Sequence, residues 1–223
     1  MIGAAFQLAA EDAVAPPFKD GERLHYEVTW PSGLSLGEAD FEVHARPNGW
    51  ELESSISASL PAIEIRDKYR SRTDATLCSQ EFEKNSLHGV RSGHESVEFN
   101  QQEQRAKRTT LKGGGVSEFD IPPCARDGLA FLYYLREDIA RGRIPPPDDI
   151  NFGAQYMVSV TYAETKQISV GGAMRETDRI LIDLSGPNSH HSFEIFFGKD
   201  PARTPLLIRV PFDLGTFSLM LAE

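Results

Sequence analysis

Residues 23–58, RLHYEVTWPSGLSLGEADFEVHARPNGWELESSISA, alternate between apolar and polar side chains. In the first segment Leu24, Tyr26 and Val28 fall on one face, and the residues between them are polar. This period of two is typical of a strand with one buried and one solvated face. Two short turn sequences rich in Pro and Gly divide the stretch. It therefore predicts three antiparallel strands joined by short loops.

Similar alternation recurs on both sides of one helical segment. Because nearly every second residue is polar, we expect antiparallel sheet with one wet face. The chain shows no short internal repeat, which argues against propellers and solenoids. The further predicted strands are 65–77, 81–87, 96–101, 105–111, 155–163, 166–170, 179–184, 192–197, 205–210 and 216–221.

One helix is predicted near residues 126–141. Leu129 and Leu135 recur at helical spacing, while Phe131 and Tyr134 fill much of the remaining circumference. A helix that is apolar on most sides is usually buried on several sides. The sequence thus predicts a mainly β fold. One large, strongly curved antiparallel sheet or open barrel of about a dozen strands surrounds this single central helix.

Composition excludes some functions. The chain has 223 residues, 33 of them acidic and 23 basic, and a formal net charge of -10. An acidic balance argues against nucleic acid as a partner, because binding a phosphate backbone needs a basic face. No run of about 18 apolar residues is present, so no transmembrane segment is predicted.

The first 15 residues do not belong to the single β domain that is predicted for residues 16–223. They are rich in small apolar residues, and residues 13–15 have the A-x-A form of a signal-peptidase site. The positively charged start of such a signal is missing. Two interpretations follow: an export-signal remnant, which predicts a periplasmic or otherwise exported protein, or a disordered terminus without a targeting role.

The chain has two cysteines, Cys78 and Cys124. They are too few for a disulfide scaffold and lack the spacing of a metal site. A disulfide between them would enclose about 47 residues, which the chain-entropy model equates to about 4 kcal/mol. Two separate buried thiols are the alternative.

No metal or cofactor motif is present, since the chain lacks a P-loop, G-x-G-x-x-G and HExxH. Residues 33–37, GLSLG, have the form G-x-S-x-G, but they join two predicted strands, whereas the nucleophile of a hydrolase stands at a strand-to-helix turn. His88, His94 and Glu95 lie near a predicted turn that would bring them together, and solvated turn residues are the alternative. We therefore assign no catalytic residue, metal or cofactor.

A row of cations marks one predicted strand. Arg66, Lys68, Arg70 and Arg72 fall on one face at a period of two. Such a row needs acidic neighbours, an anionic ligand or water. Cross-strand pairing with Asp and Glu is one interpretation, and an anion site is the other.

Five blocks of the sequence together carry a family resemblance. They are GERLHYEVTW at 21–30, GEADFEV at 37–43, RDKYRSRTDATL at 66–77, DGLAFLYYLR at 127–136 and FEIFFGKDPARTPLLIRVPFDLGTFSLML at 193–221. In this order they resemble a family of exported bacterial proteins of unknown function, DUF3108. The resemblance covers most of the chain but not residues 103–118.

The resemblance implies a cell-envelope protein with a large curved sheet around a central helix. That shape is similar to lipoprotein carriers and sensors of the LolA/LolB type, whose concave side holds acyl chains. No catalytic residues are known for the family, so none is carried over. The step from shape to lipid binding is an analogy.

The first functional hypothesis is a non-enzymatic periplasmic protein that binds a lipid, a lipoprotein or another envelope component in the concave face. Phe131, Tyr134 and Leu135 would line its apolar mouth, and Arg70 or Arg72 would meet a head group. This hypothesis requires an open apolar groove of about a few hundred Å³.

Two other hypotheses remain. A hydrolase acting on envelope glycan or ester substrates would use His88, His94 and Glu95, which must then converge in a cleft. A structural module, or one that binds an envelope protein partner, needs neither a groove nor a catalytic cluster.

Overall fold

A computed structural model describes residues 15–60, 63–111, 113–187, 189–212 and 215–222. The predicted export-signal remnant lies, except for Ala15, outside these residues. The single helix among them is α1 (Gly128–Ala140). The strands are β1 (Arg23–Thr29), β2 (Ser35–Arg46), β3 (Gly49–Leu60), β4 (Ile63–Asp74), β5 (Ser79–His88), β6 (Arg91–Asn100), β7 (Arg105–Thr110), β8 (Val116–Asp120), β9 (Arg126–Asp127), β10 (Asp148–Asn151), β11 (Gln155–Val170), β12 (Ala173–Ser185), β13 (His190–Gly198), β14 (Pro205–Phe212) and β15 (Gly215–Leu221).

All fifteen strands belong to one sheet, in the order β8-β7-β6-β5-β4-β3-β2-β1-β15-β14-β13-β12-β11-β10-β9. Strand β1 pairs with β2 on one side and β15 on the other, and thereby joins two meanders. Neighbours are antiparallel except β9 and β10, which are parallel. The predicted fold class is confirmed.

The count of about a dozen strands was too low. Strands β8, β9 and β10 have five, two and four residues, too few to show an alternating pattern. Two of the predicted strands, at 155–163 and 166–170, are a single strand in the structure, β11. A bulge between Tyr162 and Glu164 shifts its pairing with β12 and interrupts the alternation.

The sheet curls around α1. The helix contacts β3 and β4 in one half of the sheet and β9 and β10 at the far edge of the other. Phe131 and Leu135 join the main core with Ile180 of β12, whereas Leu129 packs with Leu52 of β3 in a second cluster. The inner face of the sheet and the helix therefore share their apolar contacts.

The curled sheet meets itself at a seam, where the β9 edge lies against β5, β6 and β7. Phe82, Val97 and Phe99 on the inner face pack against Ala125 and Phe152. Strand β9 also contacts β5 directly. The seam joins two parts of the sheet that do not share a strand ladder.

Asp127 connects the seam to the helix. One of its carboxylate oxygens accepts hydrogen bonds from the backbone N–H groups of Leu129 and Ala130, at 2.9 and 3.0 Å. The other accepts from the hydroxyls of Ser71 and Ser79, at 2.5 and 2.7 Å. This fully buried side chain is thus the N-cap of α1, and it also links the helix to β4 and β5.

Two further links surround this carboxylate. Cys78 and Cys124 form a disulfide with a Cα–Cα distance of 4.6 Å. The side-chain amide of Gln101 donates to the carbonyls of Ser79 and Ala125 at 2.6 and 3.0 Å and accepts from the N–H of Ala125. We call this set the clamp; it comprises Ser71, Cys78, Ser79, Gln101, Cys124 and Asp127.

A buried ion pair holds the later part of the helix. The guanidinium of Arg136, whose side chain is 1% exposed, donates to both carboxylate oxygens of Glu22 at 2.5 and 3.1 Å. It also donates to the carbonyl of Ala202, between β13 and β14, at 3.0 Å. The helix is therefore tied to the sheet near both of its ends.

We expect Asp127→Ala to lower the free energy of unfolding by at least about 2 kcal/mol, because it removes the cap and leaves two buried serine hydroxyls without their acceptor. Urea denaturation measures the loss. Asp200→Ala is the control, since Asp200 accepts from Thr204 at an exposed position; it should cost within about 0.5 kcal/mol. Equal effects of the two variants would contradict the role of the clamp.

Replacing both Cys78 and Cys124 by Ser should lower stability by about 4 kcal/mol, the chain-entropy value for a loop of this length. Guanidinium denaturation with and without reductant measures the change. The variant should not respond to reductant, and reduced wild type should match it. An identical midpoint for oxidised and reduced wild type would refute the expectation.

Candidate functional site

An apolar cavity of about 390 Å³ lies on the inner face of the sheet. Its walls come from strands β1 to β5, β14 and β15. We call it the groove; its lining residues are Val28, Leu36, Ile56, Ala58, Ile65, Asp67, His88, Val210, Phe217 and Leu219.

The strand pairing explains why these residues share one wall. Val28 lies opposite Leu219, and Ala58 lies between Gly37 and Ile65 on its two neighbouring strands. Directly paired residues point to the same face of a sheet. Gly37 has no side chain and Ala58 has only a methyl group, so little projects from the wall at this end of β2 and β3.

The helix is not part of the groove wall. Leu129 and Tyr133 of α1 pack with Val43 and Leu52, at the opposite ends of β2 and β3. No residue of α1, all of which the structure describes, lines the groove. The concave side is therefore only partly filled by the helix.

The groove has one polar corner. Nε2 of His88 lies 2.9 and 3.1 Å from the two carboxylate oxygens of Asp67, and the hydroxyl of Tyr69 donates to the same carboxylate at 3.0 Å. Asp67 is buried, while the His88 side chain is 53% exposed. Burial, and then the charge of Asp67, raise the pKa of Tyr69, so this phenol stays a hydrogen-bond donor.

The helix residues proposed to line an apolar mouth lie elsewhere. Phe131 and Leu135 are 4% and 0% exposed and belong to the main core. Tyr134 is half-buried, with the guanidinium of Arg126 stacked 3.8 Å from its ring centroid. Their apolar character reflects a helix that the curled sheet contacts on several sides, and they fix the helix instead of lining the groove.

The two arginines proposed to meet a head group lie on the outer face. Arg70 pairs with Glu83 at 2.7 Å, and Arg72 pairs with Glu51 at 3.0 Å and Glu81 at 2.7 Å. Arg70 and Arg72 thus have the cross-strand pairing that was one of the two interpretations for this row, whereas Arg66 pairs with Glu64 on its own strand. At Glu51 burial raises the pKa, but hydrogen bonds from Arg72 and Arg46 outweigh it and hold the pKa below its usual value.

The three residues of the hydrolase hypothesis do not converge. His94 and Glu95 are neighbours on β6, so they point to opposite faces. Glu95 lies opposite Lys84, forms an ion pair with Arg108 at 2.7 Å and stands four positions along β6 from the residue opposite His88. His88 instead contacts Asp67.

Sequence reasoning missed the polar corner. Asp67 lies in the segment RDKYRS, and the site predicted for this segment used only its cations, which lie on the outer face. The same pattern contains the signal for the polar corner, because Asp67, Tyr69 and Ser71 alternate with those cations and therefore face inward. A carboxylate at an inward position needs hydrogen-bond donors, and these are Tyr69 and His88.

Two other kinds of site are absent from the described part of the chain. It has no group of three or more His, Cys, Asp or Glu side chains that would hold a metal ion. None of its helices has the length and apolar character needed to cross a membrane.

Comparison with known proteins agrees with the resemblance seen in the sequence. The chain is similar in fold to a crystal structure described as a beta-barrel-like protein of domain of unknown function DUF1849 from Brucella abortus, with a TM-score of 0.66 and 8% identity over 90% of this chain and 95% of that one. No curated protein matches the chain. The sequence pattern of the family described as "Protein of unknown function (DUF3108)" matches residues 25–222. The chain therefore belongs to the DUF3108 family, as its sequence blocks predicted.

Proposed function

We propose that this protein is a non-enzymatic cell-envelope protein, periplasmic or otherwise exported, that binds the acyl chain of a lipid or lipoprotein in the groove. The observation that carries the proposal is the groove itself. It is apolar along most of its wall, has a volume of about 390 Å³, and is left open by the helix. Ligand pockets of about 300–1,000 Å³ with a few placed polar groups have this character.

The disulfide supports the choice of compartment. Disulfides persist in oxidising environments such as the periplasm and are rare where thiols are kept reduced. Cys78 and Cys124 are joined within the clamp, where the sheet depends on them. This agrees with an exported protein.

A protein partner is the second candidate. Leu34, Ile63 and Val90 have 63%, 48% and 100% of their surface exposed. They lie between β1 and β2, at the start of β4 and between β5 and β6, near the groove end of these strands. Exposed apolar side chains at one end of a sheet offer a surface on which a protein partner would dock.

Ile65→Trp should abolish lipid binding, because Ile65 lines the groove and is only half-buried, so a larger ring there fills the cavity. Native mass spectrometry with lipid extraction, on protein purified from its own envelope fraction, measures the bound mass. We expect an acyl lipid with wild type and an apo mass with the variant. Far-UV circular dichroism checks that the variant is folded.

Met174→Trp is the matched control, since Met174 is 62% exposed on β12 and outside the groove. It should retain the lipid. A lipid that stays bound to folded Ile65→Trp would place it outside the groove. A wild-type protein that is apo, and that binds no added lipid, would overturn the proposal and favour the protein partner.

A further inference from the structure

We infer that the ligand of the groove is a single-chain amphiphile with an anionic head group, bound by Arg91 beside the Asp67–His88 pair. This inference rests on the proposed function, which says only that an acyl chain occupies the groove. It adds the number of chains, the charge of the head group and the residue that recognises it.

Arg91 is one of two arginines of the described chain that form no ion pair. The chain has sixteen arginines and a net charge of -10. Within the part of the chain that the structure describes, every arginine except Arg91 and Arg175 forms an ion pair with a carboxylate. In so acidic a protein, a guanidinium without a carboxylate is left for an external anion.

The position of Arg91 connects it with the groove. Arg91 begins β6 and lies directly opposite His88 of β5. Residues directly opposite one another have Cβ atoms about 4.5–5.5 Å apart and point to the same face. His88 lines the groove, so Arg91 lies at its rim on the same face of the sheet.

Arg91 supplies the positive charge that would bind an anion at the polar corner. The carboxylate of Asp67 is already engaged by His88 and Tyr69. Arg91 is the charged side chain directly opposite His88, whereas Lys84 and Glu95, the other charged residues of this hairpin on the same face, stand four residues further from the groove end. A guanidinium binds carboxylates and phosphates through paired, charge-assisted hydrogen bonds, and a head group at this place would receive them.

The size of the groove favours one chain. Its volume of about 390 Å³ is at the lower end of the range for ligand pockets. The apolar residues Val28, Ile65 and Leu219 line its wall, and His88 marks its polar corner. This division into an apolar wall and a polar corner matches one acyl chain that lies along the wall with its head group at Arg91.

Displacement of an uncharged fluorescent probe, 1-N-phenylnaphthylamine, from the full chain tests the inference. The competitors are laurate, dodecyl phosphate and dodecanol, which share a twelve-carbon chain and differ in the head group. Laurate or dodecyl phosphate should displace the probe at a concentration about tenfold lower than dodecanol, the size of one charge-assisted contact. The better of the two anions shows whether the natural head group is a carboxylate or a phosphate.

Arg91→Gln should remove this preference and leave dodecanol unchanged, because the apolar wall is intact. Arg175→Gln, which removes the other arginine without an ion pair, should keep the preference. The inference is overturned if the anions and dodecanol compete equally with wild type, or if Arg91→Gln keeps the tenfold difference. If the head-group preference fails but dodecanol still displaces the probe, acyl binding in the groove is upheld. If the probe binds and none of the three competitors displaces it, both proposals are overturned.

Discussion

The shape of this protein depends on one buried carboxylate. Asp127 accepts four hydrogen bonds, two from the start of the helix and two from serines on β4 and β5. Burial raises its pKa, and the hydrogen bonds from the two serines act in the opposite sense. Because a buried carboxylate requires such donors, the helix and the seam form together. The ladder alone leaves the sheet open, since its edge strands β8 and β9 do not pair.

The sequence blocks that identify the family correspond to contacts that close the structure. The block that begins with Gly21 supplies Glu22, and the helix block supplies Arg136, its buried ion-pair partner. The same helix block begins with Asp127, and the block at 66–77 supplies Ser71, which donates to it. These segments are distant in sequence and meet around the helix. They explain the fold of the protein better than its function.

Much of the fold could be predicted from sequence because it rests on local patterns. The alternation of Leu24, Tyr26 and Val28 predicted β1, and the apolar circumference around Phe131 predicted a helix held inside the sheet. The function of individual side chains could not be predicted in the same way. Whether Phe131 lines an opening or a core depends on how far the helix extends across the sheet, and the helix block by itself does not contain this information. The partners of Arg72 and His88 likewise depend on strand register, which brings Glu51 and Asp67 beside them.

The seam has a consequence for how such a protein varies in size. In a closed barrel every strand is bonded to two others, so the circumference is fixed by strand number and shear. Here β9 rests against β5 through the clamp and through one backbone hydrogen bond, which the N–H of Ser79 donates to the carbonyl of Ala125, and the residues beside β9 also pack on β6 and β7. A spiral sheet of this kind changes its circumference when the contact moves by one strand, about 4.8 Å, without breaking any ladder. In this protein such a shift must also move the disulfide and the serines that bind Asp127, so the width of the interior is set by the position of the clamp along the sheet, with every strand pair retained.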